Sequence, residues 1–349
     1  MNLFLRSIYN LQKSKKTSLK LYNSFGVNAI STNFSIAKSE QKIIEFLKRI
    51  NFSSPIILGG GTNILFKNNI ETNIIKIEIK GVVIASETNK YVDVSVGAGE
   101  KWDDLVSWSI QRNYGGLENL SLIPGNVGSA PIQNIGAYGI ELKDSFLRCR
   151  AVSVESGAIK IFNKNECDFS YRSSVFKKDL KNKYIISNVT FRLSKKNHKI
   201  NLSYEPLKKH LINKNITEPT IKDISDSVIE IRNSKLPDPK IIGNCGSFFK
   251  NPIISMVDFK KLNETHSDVP FFNVSAVKVK VPAAWLIEKC GFKGKKEGNT
   301  GTHKSHALII VNHGKATGKE IFNFSQKIKN AVLRKFNILL EEEVNIIEN

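Results

Sequence analysis

A chain of 349 residues is long enough for a large buried core and for two or three domains, and 41% hydrophobic with 24% charged residues is ordinary for a soluble globular protein. Its apolar runs are short and broken by glycine, none near the roughly 20 residues of a membrane span, so membrane insertion is not expected. Lys and Arg (52) outnumber Asp and Glu (32) for a net charge of +20. The lysines are spread along the chain, with neither zinc-finger spacing nor an aromatic RNA-binding signature, so a solvated basic surface or a polyphosphate ligand is favoured over nucleic acid.

Residues 1–22 place an apolar piece first and lysines after it, the reverse of a secretory signal. A disordered or loosely docked basic extension is expected there, with an organelle-type presequence as the alternative. "SEQKIIEFLKRIN" (39–51) has the amphipathic period of a helix with Ser39 as its N-cap. "PIILGG", "ILFKN", "NIIKIEI", "GVVIAS" and "YVDVSVGAG" are short apolar runs bounded by Gly, Asn and Pro, and are predicted strands. "KWDDLVSWSIQRN" (101–113) is a predicted helix ended by Gly115 and Gly116.

"GLENLSLIPGNVGSAPIQNIGAYGIEL" shows neither alternation nor a helical period, and has glycines at 125, 128, 136 and 139. Such a segment lets backbone approach a flat or phosphorylated group closely. "CRAVSVESGAIKIF" and "KYIISNVTFRL" are predicted strands flanking "FSYRSSVFKKDL". "DISDSVIEIRNSK" (223–235) is a predicted helix, and the Pro237-Asp238-Pro239 turn after it suits a domain boundary. Beyond lies a smaller α/β unit with helices at 281–292 and 318–337, a strand at 307–314, and "LLEEEVNII" as a last strand. The cysteines at 149, 167, 245 and 290 form no Cys-x-x-Cys pair, which fits a reducing compartment and argues against disulfides and structural zinc.

Several motifs carry chemistry only weakly when taken alone. "GGGTN" (59–63) follows an apolar strand and offers backbone N–H groups to a pyrophosphate, but "NILF" after it is more strand than helix, so it is no Rossmann fingerprint. "GNTGTHKS" (298–305) has His303 where a P-loop needs glycine. His303 and His306 lack a third ligand nearby for a metal. Arg172 in "YRSSVF" suits a strand-edge turn. Two of the glutamates 341–343, if on a strand, share a face, so one of them points inward. Ser247 in "GNCGSFFKNP" has no histidine beside it to act as a base.

In their order along the chain, "NSFGV", "LGGGTNILF", "VGAGEKWDDLV", "IPGNVGSAPIQNIGAYG", "FSYRSSVFK", "KLPDPK", "GNCGSFFKNP", "AAWLIEKCGFKG" and "LEEEV" together resemble the UDP-N-acetylenolpyruvoylglucosamine reductase family, from about Asn23 to the carboxyl terminus. Tyr204 in "LSYEPLKKHL" looks like the tyrosine loop of its longer, type I members. The resemblance implies an α+β fold: a two-subdomain FAD-binding unit of the vanillyl-alcohol-oxidase (PCMH) type over 23–236, split near 85, and a smaller α/β substrate-binding domain over 237–335. Residues 336–349 would form a strand carrying a catalytic glutamate.

The activity implied is NADPH-dependent reduction of UDP-N-acetylglucosamine enolpyruvate through FAD, in peptidoglycan precursor synthesis, by a cytoplasmic bacterial monomer. By the same resemblance Gly59, Gly60, Gly61, Thr62 and Asn63 hold the FAD pyrophosphate, and Ser129, Ile132, Gln133, Gly136 and Arg232 contact the cofactor. Tyr204, Lys235, Asn251 and His306 contact the UDP-sugar. Arg172 and Glu343 stabilise an enolate, and Ser247 protonates C2 after hydride reaches C3, with Gly246 leaving room for the close approach. A serine acid needs orientation rather than a neighbouring histidine. Two positions depart from the family: His306 stands where many members have glutamine, and Cys245 where alanine is frequent, so that a competing thiol acid has to be weighed against a small buried side chain. The alternatives are another flavin oxidoreductase of the same superfamily, or a basic binding protein that has lost catalysis.

Overall fold

The computed structural model describes residues 16–348. Helix Glu40–Arg49 begins where Ser39 Oγ accepts the Lys42 amide, and it buries Ile43, Phe46 and Leu47, which fall on one stripe at i, i+3 and i+4. The helix crosses from strand Phe34–Ala37 to strand Ile56–Leu58, and Ile74–Ile77 inserts between them, parallel to both. A parallel strand covered on both faces is apolar almost throughout, which is why "NIIKIEI" shows no strict alternation.

The following unit is a five-stranded antiparallel sheet in the order Ile159–Asn163, Phe146–Ser153, Tyr184–Ser194, Tyr91–Gly97, Val82–Glu87. One face buries Val92, Val94, Val96, Cys149, Ala151 and Val189 against helix Trp102–Gln111 and the glycine-rich segment. That segment is made of single turns (Glu118–Leu120, Val127–Ser129, Leu142–Asp144) and a two-residue-stranded hairpin, Gly136–Ala137 with Ile140–Glu141. Trp102 Nε1 donates to the Leu120 carbonyl at 2.9 Å and anchors it.

Helices Glu205–Asn213 and Ile221–Lys235 form a small pair around Leu207, Leu211, Ile224, Val228 and Ile231. The second starts at a Thr220/Asp223 capping box, two residues before the sequence pattern suggests. The first is not among the elements expected from the sequence. Serines join the pair to the glycine-rich segment, Ser121 Oγ to Ser225 Oγ at 2.8 Å.

From Gly243 onward the chain forms a four-stranded antiparallel sheet (Gly243–Ser247, Ile309–Asn312, Thr300–Thr302, Lys296–Glu297). A three-stranded sheet (Ile253–Ser255, Lys278–Lys280, Phe272–Ser275) and helices Met256–Thr265, Ala283–Lys289 and Gly318–Phe336 complete it. "GNTGTHKS" lies across a hairpin of this sheet, not at the strand–helix junction a P-loop needs. Its core is shared: Phe248, Phe249, Leu286, Ile310, Phe324 and Ile328 belong to one apolar cluster with Leu19, Phe25, Leu65, Phe66 and Ile74. Strand Asn345–Ile347 then pairs in parallel with Ile64–Phe66, so the carboxyl end returns to the "GGGTN" loop.

Two expectations need correction. Residues 16–22 are docked, not loose: Thr17–Ser18 pairs with Ile30–Ser31, and Leu19 is fully buried. Residues 1–15, the rest of the expected extension, lie outside the described residues. The last strand covers only Asn345–Ile347, so Glu341, Glu342 and Glu343 precede it and the face-sharing argument fails. No helix among the described residues is long and apolar enough to cross a membrane, and all four cysteines are free.

Candidate active site

Two glycine-bearing loops meet face to face. A Cβ on Gly60 would stand 2.9 Å from Asn126 Oδ1 and 3.0 Å from Gly125 Cα, and one on Gly59 would touch the Ser129 side chain at 3.7 Å. Gly61 is left-handed (φ 68°), and a Cβ there would stand 1.9 Å from the Tyr22 carbonyl oxygen. Thr62 Oγ1 packs toward Gly125, and Ser129 Oγ donates to the Asn126 carbonyl at 2.7 Å, leaving its lone pairs open. The result is a close-packed cradle in which only the small polar side chains of Thr62, Asn126 and Ser129 stand between the loops, a shape suited to a pyrophosphate.

Asn63 joins this cradle to distant parts of the chain. Its Nδ2 donates to Gln133 Oε1 and to the Glu343 carbonyl, each at 3.1 Å, and its carbonyl accepts the Asn345 amide at 3.1 Å. The Glu343 amide donates to the Phe248 carbonyl at 2.8 Å. This backbone bond, rather than strand alternation, turns the Glu343 side chain inward, and places it beside the residue that follows Ser247.

Tyr171 and Arg172 are the tip of a tight hairpin whose flanking residues, Ser170 and Ser173, exchange backbone hydrogen bonds of 3.0 and 3.1 Å. Arg172 adopts φ 52°, uncommon for a side chain of this size. The hairpin is fastened to the glycine-rich segment by Ser174 Oγ on the Ile132 carbonyl (2.7 Å) and Asn134 Nδ2 on the Ser170 carbonyl (3.1 Å). Arg172 Nε lies 2.9 Å from Glu343 Oε1. The contact is a charge pair without a linear hydrogen bond, since no acceptor lies in line with the Nε–H. A Cβ on Gly136 would come 3.4 Å from Arg172 Nη1, so the absence of a side chain there leaves the guanidinium its place.

Ser247 ends strand Gly243–Ser247, whose pairing with Ile309–Asn312 slips register between Asn244 and Ser247. In a regular strand Cys245 and Ser247 would share a face. The irregularity, with Gly246 at φ 67°, separates them. Cys245 is buried with its Sγ 3.4 Å from the Ile64 carbonyl oxygen and 3.2 Å from Ser24 Oγ, and burial pushes its pKa up to about 12. The thiol is therefore a small buried side chain, not a rival acid. The Ser247 hydroxyl is half-buried and makes no hydrogen bond among the described residues. A Cβ on Gly246 would meet no protein atom within 4 Å, so the space beside this glycine is open, and its φ of 67° supplies the left-handed turn.

Asn251 Oδ1 caps helix Ala283–Lys289 by accepting the Ala283 amide at 2.9 Å, and its side chain also bonds Tyr171. His306 has a buried Nδ1 with no partner. Burial holds its pKa below the ordinary value, and the nearby charges of His303, Lys235 and Lys293 act in the same direction. Tyr204 precedes helix Glu205–Asn213 and packs edge-on against Tyr138 at 5.2 Å, and Tyr138 bonds Arg232. Burial lowers the pKa of Arg232, and its Nε too lacks a partner. Arg172, Glu343, Gln133 and Asn63 are thus linked directly, with Asn251 joined through Tyr171, whereas Tyr204 reaches Arg232 through Tyr138 and Lys235 lies near His306.

Four further residues crowd this site and were missed in the sequence: Tyr171, Lys177, Lys250 and Lys280. Lys280 Nζ lies 4.4 Å from the Tyr171 ring centre, and Lys250 Nζ bonds Glu341 at 2.8 Å. For Lys177 and Lys250 the available signal was the spacing in "YRSSVFK" and "FFKNP", where each lysine follows a site residue by a few positions; Lys280 lies in neither motif.

Three buried side-chain polar atoms among the described residues have no hydrogen-bond partner: Arg172 Nε, Arg232 Nε and His306 Nδ1. An orphaned buried donor costs about 1–3 kcal/mol unless something pairs with it. The cradle has the shape for a phosphorylated group, and each orphaned atom is a hydrogen-bonding position left open. Residues 33–163 match the family model described as FAD binding domain. Cradle, fold and match together define an FAD-dependent oxidoreductase.

Residues 238–347 match the model of the UDP-N-acetylenolpyruvoylglucosamine reductase C-terminal domain. The UDP-N-acetylenolpyruvoylglucosamine reductase of Flavobacterium johnsoniae is 49% identical over 95% of this chain and 98% of its own. That of Pseudomonas aeruginosa is 38% identical over 97% and 99%. The chain belongs to the UDP-N-acetylenolpyruvoylglucosamine reductase family. The crystal structure of the Thermus caldophilus reductase shares the fold, with a TM-score of 0.68 at 20% identity over 96% of this chain and 98% of that one.

Proposed function

We propose that this chain reduces UDP-N-acetylglucosamine enolpyruvate to UDP-N-acetylmuramate with NADPH as the electron source, as a cytoplasmic bacterial monomer supplying peptidoglycan precursors. The observation that carries the reading is the convergence of Arg172 and Glu343, 2.9 Å apart, with Ser247, whose neighbour Phe248 is bonded to the Glu343 backbone.

Residues 59–63 and Ser129 would hold the FAD pyrophosphate, with Ile132, Gln133, Gly136 and Arg232 along the rest of the cofactor. When bound, FAD supplies two-electron hydride chemistry. This chain's own residues supply the remainder. Negative charge develops on the carboxylate side of the enolpyruvyl group as it is reduced, and Arg172 offers a guanidinium held in place by Glu343 before that charge appears. The Ser247 hydroxyl, unpaired and oriented by the Gly246 turn, gives its proton to C2. Lys235, Asn251, His306 and Tyr204 bind the UDP-sugar, and the cationic surroundings suit its diphosphate.

The test is an anaerobic two-step assay of the flavin-loaded protein. NADPH is expected to bleach the flavin, and one equivalent of the enolpyruvyl nucleotide to restore its colour while UDP-N-acetylmuramate forms. Bleaching without restoration would assign the chain to another flavin oxidation.

A further inference from the structure

Lys177 closes the hairpin that carries Arg172. Ser174 caps the single turn Val175–Lys177, accepting the Phe176 amide at 3.2 Å, and the turn folds Lys177 back beneath the tip. There its Nζ lies 3.5 Å from the Arg172 carbonyl oxygen, a long contact in which an ammonium faces a carbonyl dipole. Lys177 forms no ion pair within 4.0 Å among the described residues, although it is half-buried. Burial lowers its pKa, Lys250, Arg172 and Lys181 add to that effect, and Glu343 alone opposes it. A half-buried ammonium set among cations is unfavourable in itself, and apolar packing would fill the space at lower cost. Its one side-chain polar contact among the described residues is with the backbone of Arg172, the residue that carries the site's guanidinium in a left-handed conformation.

We infer that Lys177 is a positioning residue for the reduction, pinning the Arg172 turn so that the guanidinium stands against Glu343 and the substrate carboxylate. It acts through Arg172 and touches no reacting atom. The inference rests on the function proposed above.

The experiment compares single-turnover reoxidation of the reduced holoenzyme by the enolpyruvyl nucleotide in wild type, Lys177→Met, Lys177→Arg, Arg172→Met and the Lys177→Met/Arg172→Met pair. Lys177→Met is expected to slow reoxidation roughly 10- to 100-fold, the scale of a small misplacement of a reacting constellation, with flavin reduction by NADPH unchanged. Lys177→Arg, which keeps a donor for the carbonyl, recovers most of the rate. In the Arg172→Met background the second substitution changes the rate by less than about threefold, because the two act as one unit. If Lys177→Met loses its flavin, Lys177→Leu, which likewise has no donor, takes its place in the same cycle, with the same expectation. Wild-type reoxidation with an unimpaired lysine variant, or with additive effects in the pair, overturns the inference and leaves the proposed function standing. A wild-type enzyme that the nucleotide cannot reoxidise overturns both.

Discussion

The glycine cradle and the Arg172 hairpin meet at Asn63, Gln133 and Glu343 but are built by different means. In the cradle, the chain packs too closely for added side chains: a single carbon at Gly60 or Gly61 would collide with Asn126 or with the Tyr22 backbone. Around the hairpin, short polar side chains fasten the turn while long charged ones crowd its tip, and hydrogen-bonding capacity is left over at Arg172 Nε, as it is at Arg232 Nε and His306 Nδ1. One region fixes a shape. The other keeps donors and charges ready for a ligand. Substitutions in the two should therefore fail differently, the first through folding and flavin retention, the second through chemistry.

The sharpest break between the regions is expected at Ser247. Ser247→Ala should slow reoxidation by the nucleotide by on the order of two to four powers of ten while flavin reduction by NADPH stays nearly intact, as read by stopped-flow absorbance. Equal losses in both half-reactions would remove Ser247 from the acid role. Gly61→Ala should destabilise by about 2–4 kcal/mol and release flavin, because it combines a left-handed φ with a backbone collision. Gly246→Ala meets no atom and carries only the cost of its φ, about 1 kcal/mol, with flavin retained. Urea unfolding and flavin content separate the two, and equal costs would contradict the steric account of the cradle.

Asn63→Ala removes two side-chain donors at the junction, and about 1–2 kcal/mol of stability is expected to go with them. Unlike Ser247→Ala, it should impair both half-reactions, since it loosens Gln133 and Glu343 together; a variant impaired in only one would show that the regions are not coupled there. The smallest effect concerns pH. The pKa of His306 is held below its ordinary 6.5, so the unfolded chain takes up this proton first as pH falls. Stability attributable to neutral His306 is present above about pH 6.5 and lost as pH falls through the folded value. His306→Gln should lack that loss, so the melting temperature of the variant minus that of wild type should rise from pH 7 to pH 5. A constant gap would contradict the buried position of the ring.

Much of this was legible in the sequence where the causes are local. Ser39 as a cap, the amphipathic stripe of Glu40–Arg49, the alternating strands of the five-stranded sheet and the glycine-rich segment all follow from neighbouring residues. What was not legible depends on contacts between distant segments. The inward turn of Glu343 comes from Phe248, nearly a hundred positions away, and not from strand periodicity. Short strands such as Ile253–Ser255 and Lys278–Lys280 carry too few residues to show a period, and the parallel pairing of Asn345–Ile347 with Ile64–Phe66 leaves no local mark. Nor did composition hint that residues beyond Gly243 share a core with residues 19–74. At the site, family motifs named the residues, while the register slip that parts Ser247 from Cys245 is visible only in three dimensions.

The distance from Ser247 Oγ to C2 of the enolpyruvyl group, measured in a crystal structure with FAD and the nucleotide bound, tests the central claim most directly. The account predicts roughly 3–3.5 Å, with the flavin on the other face of the double bond and the carboxylate against Arg172. A hydroxyl too far from C2 for any proton to pass, or on the same face as the flavin, would contradict it.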